Sequence, residues 1–250
     1  MSGARIIHLG DRFAVLDKPP GLSLATPREH PEAAARRLLA ALGPAERRDL
    51  EDRDVELVHR LDAPTSGLVL VAFDREMHRR LTRAFSERRV SKLYLAIVWG
   101  HPRPRSGVYA QPLGPDREDR RRMRVDPEGK PSRSAWRVLS TAPHLALVAL
   151  WALTGRTHQL RVHLAAAGHP IVGDDLYGGP RERGLRDPRL RRALAVGRAL
   201  LHAWRLEVPE LEPSRFEAPL PMDFATVMAA TGLSAAAAAE LWGPPGVARR

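Results

Sequence analysis

Val58-His59-Arg60-Leu61-Asp62-Ala63-Pro64-Thr65-Ser66-Gly67-Leu68-Val69-Leu70-Val71-Ala72-Phe73 is the stretch on which the reading of this chain turns. Its second half is an apolar run rich in β-branched residues and reads as a buried strand. Its first half sets a His, an Arg and an Asp ahead of a Pro-Thr-Ser-Gly turn. A carboxylate beside a cation, on a loop feeding a buried strand, is a common seat of chemistry. Taken alone, the commoner reading is a surface turn with a local Arg–Asp contact, which contributes little. The remainder of the chain has to decide between the two.

Charge is the first discriminator. The 250 residues carry 40 Lys+Arg against 29 Asp+Glu, a net charge of +11, and the sequence pI is about 11.1. That balance is the electrostatic footprint of a nucleic-acid binder, although arginine-rich composition also follows from codon bias. There is no cysteine, which removes disulfides, thiolate chemistry and cysteine metal sites. No apolar run reaches the ~20 residues of a membrane helix. Met1-Ser2-Gly3-Ala4-Arg5 lacks the apolar core of a signal peptide, so the expected location is the cytoplasm, with no membrane partner.

Outward from the central stretch, short strands and helices alternate without a steady βαβ rhythm. Residues 5–9 and 13–17 read as a hairpin stopped by Lys18-Pro19-Pro20-Gly21. Residues 32–51 are helix-like with a break at Gly43-Pro44, and 55–58 alternate as a strand. Asp74 is placed to cap a basic amphipathic helix over 75–89. Strands follow at 91–100, 134–140, 145–153 and 199–208. Residues 101–133 read as a basic loop, including Arg120-Arg121-Arg122-Met123-Arg124. Thr157 is placed to cap a helix from His158 to about Ala167, residues 180–198 are arginine-rich and partly helical, and 222–242 form a C-terminal helical region. The pattern predicts an α+β fold around a mixed, largely antiparallel sheet flanked by helices and loops. With no internal repeat and no long linker, one domain is expected over residues 1–250.

Two other chemistries are weighed and set aside. His158, His163 and His169 have no acidic partner beside them and do not form the i, i+4 pair of a zinc helix. Ser66, His59 and Asp62 lack the nucleophile elbow that a serine hydrolase requires.

Taken together, the motifs resemble the RluA-type pseudouridine synthase family. His59-Arg60-Leu61-Asp62 with Thr65-Ser66-Gly67-Leu68 looks like the family's signature around its catalytic aspartate. Lys92-Leu93-Tyr94-Leu95-Ala96 is similar to its tyrosine motif. Gly155-Arg156-Thr157-His158-Gln159-Leu160-Arg161-Val162-His163, continuing to Gly168-His169-Pro170-Ile171-Val172-Gly173-Asp174, looks like its third motif. Lys18-Pro19-Pro20-Gly21, Gly129-Lys130-Pro131-Ser132 and Leu201-His202-Ala203 match further blocks, and the match runs from about residue 5 to about 227.

The resemblance implies a pseudouridine synthase fold and isomerisation of uridine to pseudouridine in ribosomal or transfer RNA, by a monomer with no cofactor and no metal. Asp62 is then the catalytic carboxylate, Arg161 its partner across the fold, and Tyr94 the ring that stacks on the target base. Leu201 lines the pocket. Arg60 fills the gap left by the flipped uridine, because a stacked base cannot be reached otherwise. Arg156 and His59 join the substrate-binding residues. The residues agree with that reading, since a pocket carboxylate needs a cation to stay charged and an aromatic face suits a base. Ala63-Pro64 departs from relatives, which commonly carry a polar or charged residue there, and no small RNA-binding S4 domain is expected ahead of the catalytic pattern. The competing readings are an RNA-binding protein that keeps the fold without chemistry, and a histidine-based metal hydrolase.

Overall fold

The computed structural model describes residues 3–25, 32–179 and 181–244. Met1 and Ser2 at the start, and Pro180 at the head of the basic 180–198 segment, lie outside the described residues. In chain order the strands are β1 (Arg5–Leu9), β2 (Phe13–Lys18), β3 (Glu56–Leu57), β4 (Ser66–Ala72), β5 (Ser91–Trp99), β6 (Ser106–Tyr109), β7 (Leu113–Pro115), β8 (Met123–Val125), β9 (Ser134–Ala142), β10 (Leu145–Ala152), β11 (Leu201–Glu207) and β12 (Arg215–Glu217). The α-helices are α1 (Ala33–Ala40), α2 (Pro44–Arg48), α3 (Arg75–Ser86), α4 (Gln159–Ala166), α5 (Pro188–Leu194) and α6 (Met222–Thr231). The chain divides into two compact units, residues 1–90 with 203–219 and residues 91–202 with 220–250.

The first unit is built on β4, whose seven residues are all buried, as its apolar run requires. β2 pairs antiparallel with it from Phe13↔Ala72 to Lys18↔Gly67, and β1 closes the expected hairpin on β2. Residues on one phase of the pleat, Phe13 and Val15 with Leu68, Leu70 and Ala72, pack against Met77, Leu81 and Ala84 of α3. Leu81 is fully buried, a contribution of about 1.5–3 kcal/mol from its side chain alone. Asp74 caps α3 as the sequence predicts, accepting from the Met77 N–H at 2.9 Å. Arg12 donates twice to Asp74, which together with the Met77 N–H holds that carboxyl well below the usual carboxylate range. Gly67 has φ +110, and a Cβ there would lie 2.2 Å from the Ala203 carbonyl oxygen. Only glycine lets β4 approach the returning chain this closely.

The second unit carries an antiparallel sheet in the order β5-β10-β9-β6, with Leu93↔Trp151 to Trp99↔Leu145 in register between β5 and β10. Both central strands are buried almost throughout, which accounts for their continuous apolar sequences. Strands β1–β2, β2–β4, β3–β4, β5–β10, β9–β10, β6–β9, β7–β8 and β11–β12 pair antiparallel, so the α+β reading with a largely antiparallel sheet holds. Among the described residues no helix is long and apolar enough to cross a membrane.

Several local expectations change. Residues 101–133 are not one loop: β6 pairs with β9, and β7 and β8 form a hairpin from Leu113↔Val125 to Pro115↔Met123. The strand expected over 55–58 shortens to Glu56–Leu57, and β12 was not foreseen. The Ala235–Ala239 run gives only a 3₁₀ turn at Ala236–Ala238, beyond α6, whose C-cap is the left-handed Gly232. Thr157 does not cap α4. That helix starts at Gln159 behind a left-handed His158, φ 55, with no side-chain cap.

Candidate active site

The loop that carries Asp62 leaves a buried anchor, Leu61, and enters β4 through the buried Thr65 and Ser66. Asp62 is half-buried and Arg60 is exposed. The turn is clamped by backbone groups: the Thr65 N–H donates to the Asp62 carbonyl at 3.1 Å, and the Gly21 N–H donates to the Ala63 carbonyl at 2.7 Å. Lys18 is fully buried, and its ammonium donates to the carbonyls of Pro19, Leu22 and Ala63 at 2.8, 3.0 and 3.2 Å. The Lys-Pro-Pro-Gly turn therefore braces the aspartate loop, and the lysine does so from the interior rather than as a surface cation. His59 is held within the same unit. Its Nε2 accepts from the Leu70 N–H at 3.1 Å, and its ring stacks on Phe85 with centroids 4.7 Å apart. The adjacent Asp17 is pushed up to about 6 by burial, against the opposing pull of Arg5 and Lys18.

The second unit holds Tyr94, Arg156, Arg161 and Leu201. Tyr94 is buried at the middle of β5, opposite Leu150. Lys92, two residues earlier on the same phase, has its amine drawn down to about 8 by burial. Leu201 opens β11 and is buried. Arg156 is exposed and donates from Nε to the Pro131 carbonyl at 3.3 Å.

Arg161 is buried on α4 and makes a bidentate pair with Asp174, Nε to Oδ2 at 2.7 Å and Nη2 to Oδ1 at 2.8 Å. The Tyr177 ring lies 5.0 Å from its guanidinium carbon. Tyr177 in turn accepts the Met123 N–H at 2.8 Å, and its hydroxyl meets His158 Nδ1 at 2.8 Å. In the sequence Asp174 stood out only as the close of the third motif. Nothing local marks it as the partner of a cation 13 residues earlier.

The polar residues of that motif are absorbed by a buried network. Gln159 Oε1 accepts from the Arg156 N–H at 3.1 Å and from the Thr154 hydroxyl at 2.6 Å, while its Nε2 donates to the Arg133 carbonyl and to Ser134 Oγ. Ser134 Oγ lies 2.9 Å from His163 Nδ1, and His163 Nε2 lies 3.0 Å from the Gln111 carbonyl. Burial lowers the His163 imidazole below its ordinary value. His169 Nδ1 meets the Trp99 carbonyl at 3.0 Å. The three histidines weighed as ligands thus serve three separate hydrogen-bonding sites.

Comparison with known proteins agrees with this layout. The RNA pseudouridylate synthase family matches residues 12–166. The dual-specificity RNA pseudouridine synthase RluA of Escherichia coli K12 is 39% identical over 208 residues, covering 81% of this chain and 85% of that protein. An uncharacterized RNA pseudouridine synthase of Zymomonas mobilis is 36% identical over 225 residues, covering 88% of this chain and 95% of the relative. Among solved structures, human RNA pseudouridylate synthase domain containing 4 matches with a TM-score of 0.70 at 28% identity, over 90% of this chain and 92% of that one. The motifs, the α+β architecture and these matches lead to one conclusion: the chain belongs to the RluA-type RNA pseudouridine synthase family, a family of isomerases.

Proposed function

We propose that this chain isomerises selected uridines in structured ribosomal or transfer RNA, as a cytoplasmic monomer whose residues 1–250 form one catalytic domain without cofactor or metal. The observation that carries the assignment of Asp62 is the clamping of its loop: its own carbonyl and that of Ala63 are held by Thr65, Gly21 and Lys18. A carboxylate that must meet a sugar or base needs its position fixed in advance. In the reaction the N1–C1′ bond breaks, the uracil turns, C5 bonds to C1′, and the C5 proton is lost as N1 gains one. Asp62 acts on C1′ or through a glycal route. Arg161 is the cation that partners its carboxylate.

Tyr94 stacks on the flipped base and Leu201 lines the pocket. The exposed Arg60 enters the RNA stack, Arg156 binds substrate, and His59 takes part through the Arg60 it carries. The exposed arginines 181, 183, 186, 189, 191 and 192, with those of the β7–β8 tip, supply phosphate contacts. The Escherichia coli relative is named dual-specificity, which supports more than one kind of target for this chain as well. The test is release of label from 5-tritiated uridine in ribosomal and transfer RNA. Wild type should release it and Asp62→Asn should not, with RNA binding preserved in both. Full activity of Asp62→Asn sinks the assignment.

A further inference from the structure

We propose that Asp174 is a positioning residue for the isomerisation, fixing the guanidinium of Arg161 with Tyr177 as its second support. The proposal rests on the reading of Arg161 as the partner of the Asp62 carboxylate. Asp174 occupies one edge of the guanidinium through Nε and Nη2, and the Tyr177 ring covers one face. A guanidinium has five N–H donors in a rigid plane, so holding one edge and one face sets the direction of the remaining edge. Asp174 is itself located by the main chain, its Oδ1 accepting from the N–H groups of Leu176 and Tyr177 at 3.2 and 3.3 Å. Tyr177 is tied to the start of α4 by His158 and to β8 by Met123. The support therefore reaches Arg161 from the loop after α4, from the residue before it and from the β7–β8 hairpin.

Stability alone is a poor reason for this arrangement. The pair is nearly closed to solvent, at 5% and 1% side-chain exposure, and buried ion pairs commonly do no better than apolar residues of the same volume.

The experiment compares full-length wild type, Asp174→Asn, Tyr177→Leu, Arg161→Lys, Asp62→Asn and the Arg161→Lys/Asp174→Asn double variant. Tritium release is measured on ribosomal and transfer RNA from a strain deleted for the gene, with thermal melting alongside. Asp174→Asn should lose at least tenfold in kcat with KM within twofold of wild type. Arg161→Lys should keep a small measurable rate, and Asp174→Asn should cost little more in that background, because a lysine has no planar fork to hold. Wild-type kcat in Asp174→Asn, or an additive loss in the double variant, overturns the proposal while Asp62→Asn stays inactive and Arg161→Lys stays impaired. Wild-type activity of those two variants overturns instead the reading beneath it. If Asp174→Asn melts below the assay temperature, Tyr177→Leu decides: a lower kcat at unchanged KM supports positioning, and an unchanged kcat refutes it.

Discussion

The buried Lys18 ammonium donates to the carbonyl of Ala63, 45 residues further along the chain and one residue past Asp62. It also holds two carbonyls of its own turn. A methionine of similar length fills the space but takes the ammonium donor from the carbonyls of Pro19, Leu22 and Ala63, of which Ala63 keeps the Gly21 N–H. Lys18→Met is expected to lower the unfolding free energy by about 3 kcal/mol, read by urea denaturation. Turnover should fall too at temperatures where the variant is folded. Unchanged stability would mean that the clamp contributes nothing.

Replacing Asp62 removes the only carboxylate on this loop. Asp62→Ala should reduce pseudouridine formation by about 10³-fold or more while RNA affinity stays within a few-fold of wild type. Mapping pseudouridines in RNA from a deletion strain complemented with Asp62→Ala checks the same point in the cell. Restored sites would contradict the role given to Asp62.

Gly67 offers a purely steric test. A methyl group there meets the Ala203 carbonyl at 2.2 Å on a backbone with φ +110. Gly67→Ala is expected to cost more than about 3 kcal/mol of stability. A small loss in a denaturant titration would show that β4 and its neighbour can separate freely.

Asp17 gives a pH signature. Burial raises its pKa from 3.8 to about 6, so the folded state prefers the neutral acid. Below pH 4 both states are protonated and the residue costs nothing. As pH rises through 6 the folded state must ionise a buried group, and stability falls by about 2–3 kcal/mol. Asp17→Asn should therefore be more stable than wild type at pH 8 and equal to it near pH 4. Parallel curves for the two proteins across that range would refute the assignment.

The arginines of α5 test the RNA contact. Changing Arg189, Arg191 and Arg192 to Gln should reduce the slope of log affinity against log salt by roughly 2–3 and weaken all RNAs alike. Chemistry measured in a single turnover at saturating protein should be unaffected. An unchanged salt slope would remove this segment from the interface.

Signals confined to a few residues were legible. Asp74 capping α3, the break at Gly43-Pro44 and the apolar runs of β4, β5 and β10 depend on near neighbours, and all three appear where the sequence places them. What was not legible depends on distant partners. The β7–β8 strands are three residues each and flank an arginine-rich tip, so they leave no periodic trace. Thr157 looks like a cap, but Gln159 takes the Arg156 N–H, and the turn goes left-handed at His158 before α4 begins. The candidate residues themselves were legible through the motifs. Their supports were not: Lys18 stands in the sequence only as the head of the Lys-Pro-Pro-Gly turn, and Asp174 only as the close of the third motif.

The Gln159 network has a single sense. Main-chain groups fix both ends: the Arg156 N–H can only donate, and the carbonyls of Arg133 and Gln111 can only accept. The amide of Gln159 therefore cannot be reversed, and the proton of His163 must sit on Nε2. Its bare Nδ1 then takes the Ser134 hydroxyl proton, leaving that oxygen to receive Gln159 Nε2. Each hydrogen is dictated by the one before it. A second proton on His163 would reverse a link that has no alternative orientation, so the frame beneath Arg161 tolerates only the neutral imidazole.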